Sequence, residues 1–476
     1  MSQVRVRYAP SPTGYLHVGG LRTALYNYLY ARKNGGVFVL RIEDTDQERQ
    51  VEGAVDAMIE ALRWSGLEFD EGPGKEGECG PYVQSERLAL YHAAAERLLQ
   101  SGHAYRCYRT PEELEELRRR HEAAKTATRL DVRMPAEEAE QRAIAGAPSV
   151  IRLRVPDGET IQFHDLVRGE VSIESDLVDD QVLVKSDGFP TYHLANVVDD
   201  YGMGITHVIR GEEWVSSTPK HVLLYRFLGF PQPEFAHLPL LLNPDRSKLS
   251  KRHGDVAVES YREKGYLAEA LLNYVAFLGW NPGDERELFT LEELIGEFSL
   301  ARVNKSGAIF NREKLDWYNA IYLRQRPAPR ILDELRPLLA GKGWDGFPED
   351  YLLAGIELMR ERVSFVHDYL DNAPWLFEDP ESYDEETVKK RWKADSPGRL
   401  REARGVIAQR PWTVSELEAG YHEIAEANAV GIGQFIHPTR LAVSGMGKGP
   451  GLYELLELLG RETCLRRIDR ALSTLG

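Results

Sequence analysis

The segment that most limits what this chain can become lies at its start. Residues 4–8, Val4-Arg5-Val6-Arg7-Tyr8, alternate in a strand-like way and run into Ala9-Pro10-Ser11-Pro12-Thr13-Gly14. Two prolines and a glycine forbid regular structure there and mark a turn. Leu21, Ala24, Leu25, Tyr28 and Leu29 then recur on one face, which predicts a helix from about 20 to 34 stopped by Gly35-Gly36. A buried strand is expected over 37–42. Strand, glycine-bearing turn, helix, strand is the opening of a nucleotide-binding α/β domain.

Between about residues 82 and 186 the texture changes. A charged helical segment, Pro111-Glu112-Glu113-Leu114-Glu115-Glu116-Leu117-Arg118, precedes short strands such as one over 150–155, and the stretch reads as an insertion. Strand character returns at Gln181-Val182-Leu183-Val184-Lys185 and Thr206-His207-Val208-Ile209-Arg210. From about residue 260 the chain is overwhelmingly helical. Leu267, Ala270, Leu271, Tyr274, Val275 and Leu278 form one amphipathic face, and further helices are expected near 351–369 and 462–475. Breaks at Pro327 to Pro329 and at Asp379-Pro380 mark boundaries. At 476 residues the chain exceeds what one core normally supports, so several domains are expected.

Three cysteines, Cys79, Cys107 and Cys464, make no disulfide framework and have no Cys-x-x-Cys spacing, so a reduced, cytoplasmic setting is expected. The first residues lack the apolar region of a signal peptide. His237-Leu238-Pro239-Leu240-Leu241-Leu242 is far too short to cross a bilayer, and no membrane partner is expected. The net charge of −16 argues only weakly against a nucleic-acid partner, because phosphate contact depends on local basic surface and not on the sum.

Two constellations carry chemistry. In the first, Pro10 to Gly20, glycines let the backbone approach a ligand, a helix N-terminus favours phosphate, and His17 can donate to phosphate oxygens. The second is Lys248-Leu249-Ser250-Lys251-Arg252, followed by His253-Gly254 and preceded by the turn Asn243-Pro244-Asp245-Arg246. Lysines three apart suit a loop that closes over a triphosphate and neutralises charge developing at an attacked α-phosphorus. Alone, each is more often a plain turn or a solvated basic loop. Together, one opening and one closing an α/β fold, they point to one triphosphate site.

His17-Val18-Gly19-Gly20 and Lys248-Leu249-Ser250-Lys251-Arg252 resemble the two signatures of class I aminoacyl-tRNA synthetases. Along essentially the whole chain the context is similar to bacterial glutamyl-tRNA synthetases. Arg41-Ile42-Glu43-Asp44-Thr45-Asp46, Gln84-Ser85-Glu86-Arg87, the run Thr191 to Asp200 and Ile209-Arg210-Gly211-Glu212-Glu213-Trp214 carry the likeness beside the opening turn. Two departures stand out. Gly20 replaces a second histidine that many class I enzymes have, and Leu249 and Arg252 stand where Met and Ser are commoner.

The resemblance implies ATP-dependent joining of L-glutamate to tRNA-Glu through a glutamyl-adenylate, with Mg²⁺ accompanying the ATP. The alternative within the class is a form that also glutamylates tRNA-Gln. Outside it stand a small-molecule nucleotidyltransferase, which the helical rear half disfavours, and a non-enzymatic RNA-binding descendant. His17, Lys248 and Lys251 are the implied catalytic residues; Ser11, Thr13, Gly14, His17, Gly19, Glu213, Leu241 and Lys251 hold ATP; and Arg7, Ala9, Ser11, Glu43, Tyr192, Asn196, Arg210 and Trp214 hold glutamate. Two carboxylates and one ammonium call for about two cations and one anion, which Arg7, Arg210 and Glu43 supply, each charge-assisted bond contributing roughly 1.5–3 kcal/mol. Arg7 with Tyr192 is assigned to the γ-carboxylate and Arg210 to the α-carboxylate.

Some relatives hold zinc in the insertion. Here Cys107 matches a first ligand but Arg109 occupies the second position, and no later Cys/His pair follows, so no zinc is expected. The likeness divides the chain into an α/β Rossmann-type catalytic domain (1–81 and 187–242), an inserted α+β acceptor-end-binding domain (82–186), a stem-contact domain with the lysine loop (243–322), and two all-α anticodon-binding domains (323–378 and 379–476). Arg360 and Arg362 are the implied anticodon contacts, since arginine offers bidentate bonds and stacking. A monomer is the family expectation.

Overall fold

A computed structural model describes residues 3–75, 77–125, 128–249 and 257–475. The chain folds as two units, Met1–Lys264 with Ala268–Arg312, and Gly265–Leu267 with Glu313–Gly476.

In the first unit the strand Arg5–Tyr8 lies parallel to Val37–Leu40, with Arg7 opposite Val39. The helix Val18–Lys33 connects them and buries Leu21, Ala24, Leu25 and Leu29. It begins two residues before the predicted start because the His17 side chain caps it. Asn34 ends it, Gly35 takes φ +58°, and a Cβ on Gly36 would stand 2.4 Å from the Val4 carbonyl oxygen, so the crossing back into the sheet admits no side chain there. The second strand stops at Leu40 rather than 42, because Ile42 leaves for a single bridge to Val83.

Beside this pair, His207–Gly211 runs parallel to Glu234–Leu238, and the Thr206 amide donates to the Arg5 carbonyl at 2.9 Å. Two strands of the inserted stretch extend that sheet. Thr160–Asp165 joins in parallel at Asp165 opposite Phe235, and Gly169–Glu174 lies antiparallel outside it. A second small sheet orders Ala104–Cys107, Val150–Leu153 and Val182–Val184, all antiparallel. Leu153 and Phe163 of the insertion share a hydrophobic core with Val208, Leu223 and Phe235 of the flanking segments. The architecture is thus the expected α/β one with an inserted α+β segment.

The second unit is helical among its described residues. The helix anticipated over 351–369 is interrupted. Glu349–Met359 tightens into a short 3₁₀ turn at Arg360–Arg362, and the Asp368 carboxylate then takes the Ser364 and Phe365 amides, each at 2.8 Å. An aspartate that bonds backbone amides preceding it competes with the helix for those donors. The last helix, Arg461–Leu475, agrees with the periodicity. Its buried Arg467 donates to the carbonyls of Trp375 (2.8 Å), Val443 (2.7 Å) and Glu378 (2.8 Å) and to Asp379 Oδ1 (2.7 Å), while Arg466 takes both Asp379 oxygens at 2.8 Å. No helix of the described residues is long and apolar enough to cross a membrane.

The Arg466 bonds, joined by those of Arg467, hold the Asp379 carboxyl well below the usual carboxylate range against the opposing effect of burial. A depressed carboxyl contributes its full stability above the unfolded value of about 3.9 and loses it as pH falls through the folded value. Asp379→Asn should therefore cost about 1.5–3 kcal/mol at neutral pH. In urea melts, that gap from the unmodified protein should narrow below about pH 4; a gap independent of pH would contradict the assignment.

Candidate active site

The floor of the site is a buried lattice of arginines and carboxylates. Arg7 donates from Nε to Asp200 Oδ1 (3.0 Å) and from Nη2 to Asn196 Oδ1 (3.1 Å). Arg41 donates to Asp200 Oδ1 (2.7 Å), Glu43 Oε1 (2.8 Å) and Asn196 Oδ1 (3.2 Å). Asp199, the preceding residue of the same helix, Tyr192–Gly202, receives Arg87 Nε (2.7 Å), Gln84 (2.8 Å) and Tyr91 Oη (2.8 Å). Burial alone would raise the Asp200 carboxyl, but Arg7 and Arg41 outweigh it and hold it below its ordinary value. Glu43 goes the other way, since burial outweighs Arg41 and Arg7 and raises it.

Two groups of this lattice keep capacity for a ligand. Arg7 Nη1 and Glu43 Oε2 have no hydrogen bond among the described residues, and both side chains line a cavity of about 1180 Å³. Arg210 lines the same cavity, is 4 % exposed, and contacts no carboxylate among the described residues. Its partners are all uncharged groups: His237 Nε2 (3.1 Å), Tyr192 Oη (3.0 Å), Thr218 Oγ1 (2.9 Å) and His221 Nδ1 (3.2 Å). A desolvated guanidinium without a carboxylate in contact is costly unless a ligand brings one. Trp214 packs tilted against the Tyr192 ring, with centroids 4.1 Å apart, and lines the same cavity.

The other end of the cavity belongs to the two signature segments. His17 Nδ1 accepts from the Gly20 amide at 3.0 Å, which leaves the proton of a neutral ring on Nε2. Gly20 is backed by Tyr8: a Cβ there would fall 2.6 Å from Tyr8 Oη and 3.0 Å from Leu16 Cδ1. Opposite, Asn243 to Lys248 form a tight return. The Asn243 amide donates to the Ser247 carbonyl, Asp245 takes the Ser247 amide, and Lys248 pairs back onto Leu242. Lys248 and Leu249 thereby reach the cavity that His17 lines. Lys251 and Arg252 lie outside the described residues.

Of the residues singled out from the sequence, Arg7, Ala9, Ser11, Thr13, Gly14, His17, Gly19, Glu43, Tyr192, Arg210, Glu213, Trp214, Leu241 and Lys248 all line this one cavity. Asn196 does not line it; its amide oxygen is taken by Arg7 and Arg41, one layer behind. Tyr192, anticipated beside Arg7, accepts a hydrogen bond from Arg210 and also lies within electrostatic reach of Arg7. Lys185 and Arg49 also line the cavity and were not singled out; each pairs with a nearby aspartate, Asp187 and Asp46, as an ordinary surface ion pair would. Asp165, His221 and His237 behind Arg210 were missed too, although a histidine inside the apolar run Phe235-Ala236-His237-Leu238 is a signal of a buried polar role.

In the insertion, Arg109 donates to the carbonyls of Val132 (2.8 Å) and Arg133 (2.7 Å) beside the buried Cys107. Among the described residues no group of three His, Cys, Asp or Glu is placed to hold a metal. In the second unit, Arg360 is committed to Glu357 (2.6 Å) and to the Arg324 and Arg326 carbonyls (2.7 Å each). Arg362 is exposed.

Residues 3–317 match the family model described as tRNA synthetases class I (E and Q), catalytic domain, and residues 330–472 match an anticodon binding domain. The chain belongs to this class of tRNA synthetases. Among curated relatives, the glutamate–tRNA ligase of Chloroherpeton thalassium is 50% identical, covering 99% of this chain and 98% of that protein. That of Chlorobium luteolum is 49% identical over 99% and 97%. Of solved structures, a glutamate tRNA ligase from Elizabethkingia meningosepticum in complex with its amino acid superposes with TM-score 0.92 at 41% identity over the whole of both chains. A glutamate-tRNA synthetase from Elizabethkingia anophelis gives 0.90 at 40%, covering 99% of this chain and all of that one. Within the class, this chain is a member of the glutamate–tRNA ligase family.

Asp200→Asn keeps the shape of the lattice but leaves two buried guanidiniums sharing a neutral partner. A loss of about 3–5 kcal/mol is expected, the scale of breaking a buried ion pair from one side. Chemical denaturation measures it, and a change near zero would show that the lattice does not carry the floor.

Proposed function

We propose that this chain joins L-glutamate to the 3′ end of tRNA-Glu in two steps at the cavity described above. A glutamate α-carboxylate oxygen attacks the α-phosphorus of ATP, and pyrophosphate leaves. The terminal ribose hydroxyl of the tRNA then attacks the acyl carbon, and AMP leaves. A carboxylate needs no base to become a nucleophile, so the first step depends on positioning and on charge held at the phosphates.

The observation that carries this reading is a trio of groups with unused bonding capacity lining one cavity. Arg210 has no carboxylate in contact, Arg7 Nη1 has no acceptor, and Glu43 Oε2 has no donor among the described residues. Two cations and one anion match an amino acid with two carboxylates and one ammonium. Arg7 and Arg210 take the carboxylates and Glu43 takes the ammonium, with Ala9, Ser11 and Trp214 shaping the space and Asn196 steadying Arg7. Thr13, Gly14 and Gly19 face the phosphates, Glu213 and Leu241 the adenosine. His17, Lys248 and Lys251 bear on the triphosphate, and Mg²⁺ arrives with the ATP; no zinc is required. Arg362, and less directly Arg360, serve the anticodon end of the tRNA. The enzyme acts in the cytoplasm as a monomer.

Glutamate-dependent exchange between ATP and pyrophosphate, measured with and without each tRNA, tests the reading. Lys251→Ala should lower turnover by about 10²–10³, the scale of one lost transition-state donor; unchanged turnover removes it from the mechanism. Arg7→Ala should erode selection of glutamate over glutamine, and preserved discrimination would move that carboxylate elsewhere. Charging of purified tRNA-Gln alongside tRNA-Glu defines the tRNA range.

A further inference from the structure

Behind Arg210 stands an ordered chain of ring nitrogens that the two steps above leave unused. A guanidinium has five N–H donors and no acceptor. Four are spoken for: Nε on His237 Nε2, one Nη1 proton on Tyr192 Oη, and both Nη2 protons on Thr218 Oγ1 and His221 Nδ1. The fifth belongs to Nη1, at the cavity wall. Tyr192 Oη accepts from Arg210, so its own proton is available to the same carboxylate.

Because Arg210 can only donate, each ring nitrogen facing it must present a lone pair. His237 therefore carries its proton on Nδ1, which lies 2.5 Å from Asp165 Oδ2. His221 carries its proton on Nε2, directed at His193 Nδ1 at 3.0 Å. Asp165 is itself fixed, since its Oδ1 takes the amides of Val167 (3.0 Å) and Arg168 (2.8 Å). Asp165 and His237 are 1 % and 0 % exposed, so no water competes for these bonds.

We infer that Asp165, contributed by the inserted segment, is a positioning residue for the substrate carboxylate: it keeps the His237 proton on Nδ1, so that Nε2 accepts from Arg210 and aims the guanidinium at the cavity. Burial supports the neutral rings, holding His237 and His221 below their ordinary values and His193 down at about 4. Without an anion at Asp165, the ring can take the other tautomer. Nε2–H then turns to Thr218 Oγ1, 3.2 Å away, and Arg210 Nε loses its acceptor.

The inference rests on the glutamate reading, and aminoacylation of tRNA-Glu tests both. In Asp165→Asn the amide oxygen keeps the Val167 and Arg168 amides while Nδ2 faces His237 and forces the switch. The KM for glutamate should rise about tenfold or more, the scale of one charge-assisted hydrogen bond, with the KM for ATP within about twofold. His237→Gln offers an N–H to Asp165 and a carbonyl to Arg210, and should stay within about threefold of the unmodified protein, whereas His237→Leu should match Asp165→Asn. An unmoved glutamate KM in Asp165→Asn, an equal rise in both KM values, or equal damage from Gln and Leu at 237 overturns the inference. Should Asp165→Asn fail to fold, the contrast between Gln and Leu decides. If the unmodified protein does not charge tRNA with glutamate at all, the reading of the site fails instead.

Discussion

Three arginines and three carboxylates buried beneath one cavity set the terms for everything above them. Arg7, Arg41 and Arg87 interlock with Glu43, Asp199 and Asp200, and none of the six is more than 6 % exposed. Removing such groups from water costs several kcal/mol per ion, so they are tolerable only with every partner in place. The lattice ties the first strand, the segment after the second, the 3₁₀ turn Gln84–Arg87 and the helix Tyr192–Gly202 to one geometry. Arg7 and Glu43 then line the cavity from a floor that cannot shift without separating charges. Such pre-organisation lets polar groups grip a substrate with little reordering when it binds.

How much of this was legible depends on how local the signal is. The opening strand, turn and helix were readable because turn residues and apolar spacing act within a few positions, and the one displaced boundary follows from a side-chain cap at His17. The helix foreseen over 351–369 failed because Asp368 bonds the Ser364 and Phe365 amides, a choice that apolar periodicity does not register. The stretch 82–186 differs in texture, but composition does not say that its Phe163 would pack with Phe235 or that its strand would join the neighbouring sheet.

At the site, residues marked by a motif line one cavity, whereas the side chains packed behind them carried no such mark. Asn196 belongs to a recognisable run and reads as a ligand contact, yet its oxygen is engaged by two arginines. His237 and Asp165 are 72 positions apart, one in a mostly apolar strand and the other at the end of an alternating one, and nothing in either segment announces the other. Pairing of that kind is created by the sheet, at the register that sets Asp165 opposite Phe235.

The close approach of Tyr8 to Gly20 has a consequence for what descendants of this chain can become. With Oη 2.6 Å from where a Cβ would begin, no side chain enters position 20 while the tyrosine stays. Tyr8 is itself buried and belongs to the strand that carries Arg7, so retreat at one position disturbs the grip at the other. Placing a second imidazole in the first signature would call for a change at Tyr8 as well as at Gly20. With Tyr8 in place, the turn therefore holds one imidazole, that of His17.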